Sequence, residues 1–321
     1  MKIIGTGSAH PSCSVSNEML EKFLETTDEW ITERTGIKER CVISSEKLED
    51  LATIAANKAL EDAGLTAKDI DFIICSNVVN EYVTPALSCI IQGKIGATCP
   101  TVDINAACAG FIFALDMAED KLNCKKAKNI LIVCAEEPSR MVSWKNRSTC
   151  VLFGDGAGAV LLEPTTEEFG WLDSHLRTDG HGLPFLHMKA GGSVCPPSHF
   201  TVANRMHYVH QEGRTVFKFA VTNMSDSCAL IADRNGLNKE NIAWVLPHQA
   251  NLRIIDAVAN RLEVPMEKVM LNIQRYGNTS AGTLPLALWD YESQLNKGDN
   301  LILTAFGAGF TWGAAYLKWG Y

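Results

Sequence analysis

Three side chains, each among small neighbours, could do chemistry together: Cys108, His248 and Asn278. Cys108 lies in Asn105-Ala106-Ala107-Cys108-Ala109-Gly110, after the strand-like run Thr101 to Ile104 and before a helical stretch. A thiol at a helix N-terminus meets the positive end of the dipole and free amide hydrogens, so its pKa is expected to fall and the sulfur to act as a nucleophile near neutral pH. The ordinary role of a cysteine is that of a small buried hydrophobe, and it is the position after a strand, at a helix start, that singles this one out. His248, in Leu246-Pro247-His248-Gln249-Ala250-Asn251, stands where the strand beginning at Trp244 ends. In a parallel sheet that is the carboxyl edge, where active sites gather. Asn278 lies in Tyr276-Gly277-Asn278-Thr279-Ser280-Ala281-Gly282, a pattern that by itself is turn chemistry.

Two glycine-rich segments accompany them. Thr304 to Gly313 reads as a tight turn between strands, whose amides could face a developing oxyanion. Phe153-Gly154-Asp155-Gly156-Ala157-Gly158 has glycines but no G-x-G-x-x-G between a strand and a long helix, which argues against a dinucleotide site.

The elements that would position these residues are strands alternating with helices, the pattern of an α/β protein with largely parallel sheets. The clearest strands are Phe72 to Cys75, Asn129 to Val133, Ala159 to Leu162, Trp244 to Leu246 and Leu301 to Thr304. The chain also resembles itself. Gly64 to Ile70 and Gly236 to Ile242 are similar at an offset of 172, each leading into a strand, and the same offset sets Cys108-Ala109-Gly110 on Ser280-Ala281-Gly282. The expected halves are residues 1–165, with the cysteine, and 166–321, with the histidine and asparagine. An irregular insertion rich in glycine, proline and histidine is expected near 180–210.

Composition sets the outer limits. With 321 residues, 46% hydrophobic and 24 glycines, the chain is long enough for an extensive core. Eleven cysteines are scattered without an export signal, and read as reduced thiols of a cytoplasmic protein and not as a disulfide framework. Neither a C-x-x-C pair nor finger spacing supports a metal, and His207 and His210 lie in a segment of mixed polarity. A formal charge of −8 argues against nucleic acid as a partner, and no apolar run reaches the roughly 18 to 20 residues of a membrane span.

Taken together, these segments resemble the β-ketoacyl-acyl-carrier-protein synthase III family, initiating condensing enzymes of the thiolase-like superfamily. The resemblance rests on Asp28-Glu29-Trp30-Ile31 with Arg34-Thr35-Gly36-Ile37, on the cysteine turn, on Phe153 to Gly158, on His248 to Asn251, on Gly277 to Ala281 and on Phe306 to Gly313. It implies a thiolase-like fold, two duplicated βαβ-rich halves with mixed sheets sandwiched by helices. It further implies acylation of Cys108 by acyl-CoA, with no permanently bound cofactor. His248 and Asn278 would bind the thioester carbonyl of a malonyl-acyl-carrier protein, while Phe306 orients that donor. The amides of Cys108 and Ala308, with Gly307 in the same turn, would form the acyl-enzyme's oxyanion hole. Trp30 and Arg147 would flank the adenine of coenzyme A, with Arg34 and Thr26 at the mouth. Carrier-protein docking would use Arg253, Arg261 and Lys218. Thr84 stands where some relatives resemble one another in an aromatic that caps the acyl pocket from a second subunit, so a less restricted tunnel and a homodimer are implied. Ala308 replaces the middle of three glycines usual in the family, and is expected to keep φ negative. Two other roles fit the same fold, a condensing enzyme of a biosynthetic side pathway and a non-catalytic partner subunit. Intact Cys108, His248 and Asn278 speak against the second.

Overall fold

The computed structural model describes residues 1–321. The first half of the chain forms β1 (Lys2–Ala9), β2 (Ser14–Ser16), β3 (Glu39–Cys41), β4 (Phe72–Ser76), β5 (Thr101–Ile104), β6 (Ile130–Glu136) and β7 (Gly156–Glu163). The second forms β8 (Gly170–Thr178), β9 (Leu186–Met188), β10 (Val209–Gln211), β11 (Trp244–Pro247), β12 (Asn300–Gly307) and β13 (Thr311–Lys318). One sheet has the order β1-β7-β6-β4-β5 and the other β8-β13-β12-β11. The same design is therefore used twice: β4, β5 and β6 run parallel as β11 and β12 do, and each sheet adds two further strands, each paired antiparallel to its neighbour. The expected strands all form. The segment expected to be irregular contains the short ribbon β9–β10 and the helix His199–Ala203.

Alternation along the strands explains the layers. Ile130, Ile132 and Cys134 of β6 enter one apolar cluster, together with Leu301 and Leu303 of β12 and the helices Gly110–Asn123 and Thr283–Tyr291. Leu131, Val133 and Ala135 point the other way, into a cluster with the helix Leu48–Asp62. On the far side, Ile302 and Phe306 of β12 pack with the helices Gly213–Asn235 and Leu252–Arg261. All seven residues of β6 are buried, as a strand covered on both faces requires. The result is five layers, helix, sheet, helix, sheet, helix, with two central helices between the sheets.

The outer layer approaches closely because glycines allow it. A Cβ on Gly7 of β1 would run into the Ala55 carbonyl and lie 2.6 Å from the Ala59 amide nitrogen of the facing helix. Gly7→Ala is expected to lower stability by about 1 to 3 kcal/mol through overpacking, read as a fall in Tm with normal secondary structure. An unchanged Tm would show that this helix and strand can separate freely.

Candidate active site

The two central helices start from the same edge, and their first turns touch. A 3-10 turn Ala107–Ala109 leads into the helix Gly110–Asn123, and a second, Ser280–Gly282, leads into Thr283–Tyr291. The first residue of each turn is left-handed, Ala107 at φ 47° and Ser280 at φ 54°. Ala281 therefore stands in the place of Cys108, one residue off the register expected from the sequence repeat. Structure superposes turns by their backbone, and the repeated small residues had allowed the one-residue slip. Ser280 instead faces the cysteine, its hydroxyl 3.7 Å from Sγ.

Beneath Ser280 lies a carboxyl group that sequence reasoning missed. Ser280 Oγ donates to Glu136 Oε1 at 3.0 Å, and the Val78 amide donates to Oε2 at 3.0 Å. Glu136 is fully buried at the end of β6, and burial pushes its pKa up to about 8. The available signal was an acidic residue directly following the apolar run Ile130 to Ala135.

His248 follows β11, and its amide donates to the Thr304 carbonyl at 2.8 Å, extending the pairing with β12. Its loop is pinned by the buried Gln249, which donates to the carbonyls of Pro247 and Met270 and accepts from the amides of Asn272 and Ile273. The imidazole Nδ1 lies 2.7 Å from Thr283 Oγ1, whose other neighbour, the Ser280 carbonyl, is at 3.1 Å. A hydroxyl has one proton to give. The Ser280 carbonyl can only accept that proton, and the direction of the Nδ1 contact follows the tautomer of the ring.

Asn278 is held from both sides. Its amide donates to the Leu152 carbonyl at 2.8 Å, and the Gly154 amide donates to its carbonyl at 3.1 Å. Gly154 is required here because a Cβ would strike the Tyr276 carbonyl, so the glycine-rich segment Phe153 to Gly158 serves as the seat of the asparagine loop. The Ser280 amide donates to Asn278 Oδ1 at 2.8 Å, which leaves Nδ2 free as a donor.

Cys108, His248, Asn278, Phe306 and Gly307 line one cavity of about 520 Å3. Cys108 and Ala308 also line a second, largely apolar one of about 990 Å3, bounded by Val78, Val79, Ile104 and Met141 and reaching Thr84. The nucleophile candidate thus stands where two cavities meet. Gly307 packs against the backbone of Cys108, with a would-be Cβ 2.5 Å from its nitrogen. Ala308 is not among the residues with positive φ, as expected, and Gly309 takes the unusual value of 142°.

The rim of the smaller cavity carries Trp30, Arg34, Arg214 and Arg253. Both Arg34 and Arg147 stack on the Trp30 ring, at 4.9 and 4.7 Å from its centroid. Thr26 has a buried hydroxyl without a partner and, like Arg147, does not line the cavity. Arg253 stacks 5.0 Å from the Phe217 ring. Lys218 is exposed, one turn beyond Arg214 on the helix Gly213–Asn235. Arg214 was not anticipated. Arg261, expected to share a face with Arg253, lies at the far end of its helix, about 12 Å along the axis at ~1.5 Å per residue, and pairs with Asp226 at 3.7 Å.

One electrostatic expectation is overturned. The Cys108 thiol is not depressed but pushed up to about 12, first by burial, which outweighs the hydrogen bond with Ser280, and further by the nearby Glu136 carboxylate. The helix start is present, yet taking a thiolate out of water is the larger effect.

The description "3-Oxoacyl-[acyl-carrier-protein (ACP)] synthase III" matches residues 102–180, and that of its C-terminal part residues 232–319. A β-ketoacyl-[acyl-carrier-protein] synthase III of Phocaeicola vulgatus is 55% identical, covering 99% of this chain and 96% of the relative. The chain belongs to the synthase III family. It is an initiating condensing enzyme of the acyltransferase type. The crystal structure of 3-oxoacyl-[acyl-carrier-protein] synthase III from Aquifex aeolicus aligns with a TM-score of 0.91 at 41% identity, covering 99% of both chains. The priming β-ketosynthase of the R1128 polyketide biosynthetic pathway also aligns at 0.91, with 31% identity, covering 99% of this chain and 96% of that one. The thiolase-like fold is thereby established for this synthase.

Burial lowers the His248 pKa to about 3. In the unfolded chain the same ring takes up a proton near ~6.5, so this group disfavours folding as pH falls below that value and its effect levels off below about 3. The imidazole resonances of His248 are expected to stay those of a neutral ring down to at least about pH 4, whatever its role. Titration near its ordinary value would show the ring to be solvated.

Proposed function

We propose that Cys108 carries the primer acyl group and that His248 and Asn278 bind the carbonyl of the malonyl thioester as it loses carbon dioxide. The observation that carries the reading is the junction of two cavities at Cys108, one apolar and one rimmed by arginines, with His248 and Asn278 on the second. The apolar cavity suits an acyl chain, and the arginine rim suits the phosphates of coenzyme A or of a carrier-protein arm. Decarboxylation leaves an enolate whose oxygen needs hydrogen-bond donors. On this reading the neutral His248 takes the tautomer with its proton on Nε2, and with the free Nδ2 of Asn278 it supplies two such donors, which stabilise the developing charge without trapping the substrate. The amides of Cys108 and Ala308 are assigned to the acyl-enzyme's oxyanion, with Gly307 allowing the close approach and Phe306 positioning the donor.

Trp30, Arg34, Arg147 and Thr26 are assigned to coenzyme A. In the free protein the indole is stacked with two guanidinium groups, and an adenine entering the stack would replace one of them. The extender is malonyl-acyl-carrier protein, which would dock on Arg253, Lys218 and Arg214. Arg261 is the weakest candidate for that surface, because it is distant and paired.

A homodimer and a cytoplasmic location complete the reading. Strand β5 ends its sheet with one edge unpaired, and nearby Tyr82 and Val83 are 52% and 105% exposed, which a second copy would cover. Sedimentation as a monomer would refute the dimer. No helix is long and apolar enough to cross a membrane, and all 11 cysteines are free thiols. The fatty-acid pathway is preferred to a side pathway on the 55% identity to a β-ketoacyl-[acyl-carrier-protein] synthase III against 31% for the polyketide enzyme.

Incubation with acetyl-CoA is expected to acylate Cys108 alone among the thiols, read by intact mass and peptide mapping. His248→Ala and Asn278→Ala should still be acylated yet lose condensation by about a hundredfold or more, the usual effect of removing an oxyanion donor. Equal failure of acylation in both variants would refute the division of roles. Because Thr84 leaves the apolar cavity open, primers of about four or more carbons should also be accepted; strict acetyl specificity would refute that part.

Arg253→Glu is expected to raise KM for malonyl-carrier protein about tenfold, or ~1.4 kcal/mol, with the loss shrinking as salt rises. Acylation by acetyl-CoA should change little. Unaltered carrier-protein kinetics at low ionic strength would move the docking surface elsewhere.

A further inference from the structure

The thiol of Cys108 has a proton to lose, and the nearest histidine assigned to the site is engaged elsewhere. From the geometry we infer that Ser280 and Glu136 form a proton relay for Cys108, taking the thiol proton during acylation and returning it when condensation frees the sulfur. This rests on the acyl-Cys108 reading above and adds to it the group that manages the proton.

The contacts run in one direction. Cys108 Sγ–H points to Ser280 Oγ at 3.7 Å, and Ser280 Oγ–H to Glu136 Oε1 at 3.0 Å. Ser280 is held in the left-handed region at φ 54°, with its amide fixed on Asn278 Oδ1, so its side chain is aimed between the sulfur and the carboxylate. Glu136 is fully buried and has no ion-pair partner. Its titratable neighbours are Asp155 preceding β7, Cys75 on β4, Cys134 on its own strand, and Cys108 itself. None of these supplies a positive charge; the hydrogen bonds from the Val78 amide, the Ser280 hydroxyl and the Ala281 amide favour the ionised form, and burial outweighs them. A carboxyl held near neutrality can both take and return a proton.

The balance is as follows. In acylation the sulfur of Cys108 bonds to the thioester carbon, its proton passes to Ser280 Oγ, and the serine proton passes to Glu136. The bond to the sulfur of coenzyme A breaks, and that thiolate takes a proton from water. In condensation the malonyl carboxylate leaves as carbon dioxide and the resulting enolate carbon bonds to the acyl carbon. Cys108 departs as a thiolate, and Glu136 returns the proton through Ser280. One proton is taken from solvent per turnover, and both relay groups end as they began. His248, whose pKa lies near 3, need not change its protonation state at all.

Two substitutions test this on the full-length protein. Glu136→Gln mimics the protonated carboxyl, its amide nitrogen donating to Ser280 and its oxygen accepting from Val78. Ser280→Gly removes the hydroxyl and suits the positive φ. Single-turnover acylation by acetyl-CoA is followed as a function of pH, with circular dichroism as a check of folding. The wild-type rate is expected to climb with pH and level off near the Glu136 value of about 8. Both variants should be slowed by roughly a hundredfold at unchanged KM for acetyl-CoA, and Glu136→Gln should lose the ascending limb. Acylation of both variants at the wild-type rate, or a slowed Glu136→Gln that keeps the same limb, would overturn the relay. Absence of acylation in the wild type would instead overturn the acyl-enzyme reading itself. If Glu136→Gln does not fold, Ser280→Gly decides alone by its rate.

Discussion

Everything at the site depends on two helix N-termini meeting inside the central layer. The turn Ala107–Ala109 and the turn Ser280–Gly282 are pressed together, and only small residues permit it. A Cβ on Gly110 would lie 3.0 Å from Ser76 Cβ and 3.3 Å from Ala281 Cβ, and Gly307 lies directly on the Cys108 backbone. The runs Ala106-Ala107-Cys108-Ala109-Gly110 and Ser280-Ala281-Gly282 are thus packing requirements before they are chemical ones. Two non-glycine residues with positive φ, of the order of 1 to 3 kcal/mol each, sit at the point of contact. Burial of the two central helices between β6 and β12 offsets that strain and holds the turns in register.

The second constraint is charge. The meeting point is dry, and each titratable group there is displaced toward its neutral form: His248 downward, Cys108 and Glu136 upward. Cations appear only at the rim, in Arg34, Arg214 and Arg253. On the proposed reaction, attraction of anionic substrates is thereby separated from the reacting centre. A fixed cation at the sulfur would lower the thiol pKa but would also bind a malonyl carboxylate and oppose its loss. Neutral donors held by Thr283 and by the Ser280 amide avoid this conflict.

Much of this was legible in the sequence, for identifiable reasons. Apolar runs bounded by turns marked the strands, because a strand buried on both faces reads as a short continuous apolar run. The self-similarity marked segments that lie in two sheets of similar order, but its register was off by one at the turns, where alanine and glycine carry no side-chain information. The glycine-rich Phe153 to Gly158 was noticed but not its purpose, since a close approach to the Tyr276 carbonyl exists only after folding. Arg253 and Arg261 were joined by helical phase, which reports angle and not distance along the axis. Glu136 and Thr283 went unseen as contributors to the site because each acts through a residue distant in the chain. The thiol pKa was misjudged because a helix start can be read from sequence, whereas desolvation depends on the whole surroundings of the sulfur.

The dryness that raises the Cys108 pKa is the same property that strengthens every hydrogen bond aimed at the cavity, because a donor in a low-dielectric site interacts more strongly with developing charge than one in water. Opening the site to water would ease ionisation of the thiol and weaken the proposed oxyanion donors together. A buried carboxyl reached through one hydroxyl resolves the opposition on the proposed reaction: the proton moves only a few ångströms, and no water need enter. It also explains why the acidic group lies beneath the turn and not in either cavity. Placed in the smaller cavity, a carboxylate would repel the malonyl group; placed at the end of β6, behind Ser280, it is shielded from the donor yet within one relay of the sulfur.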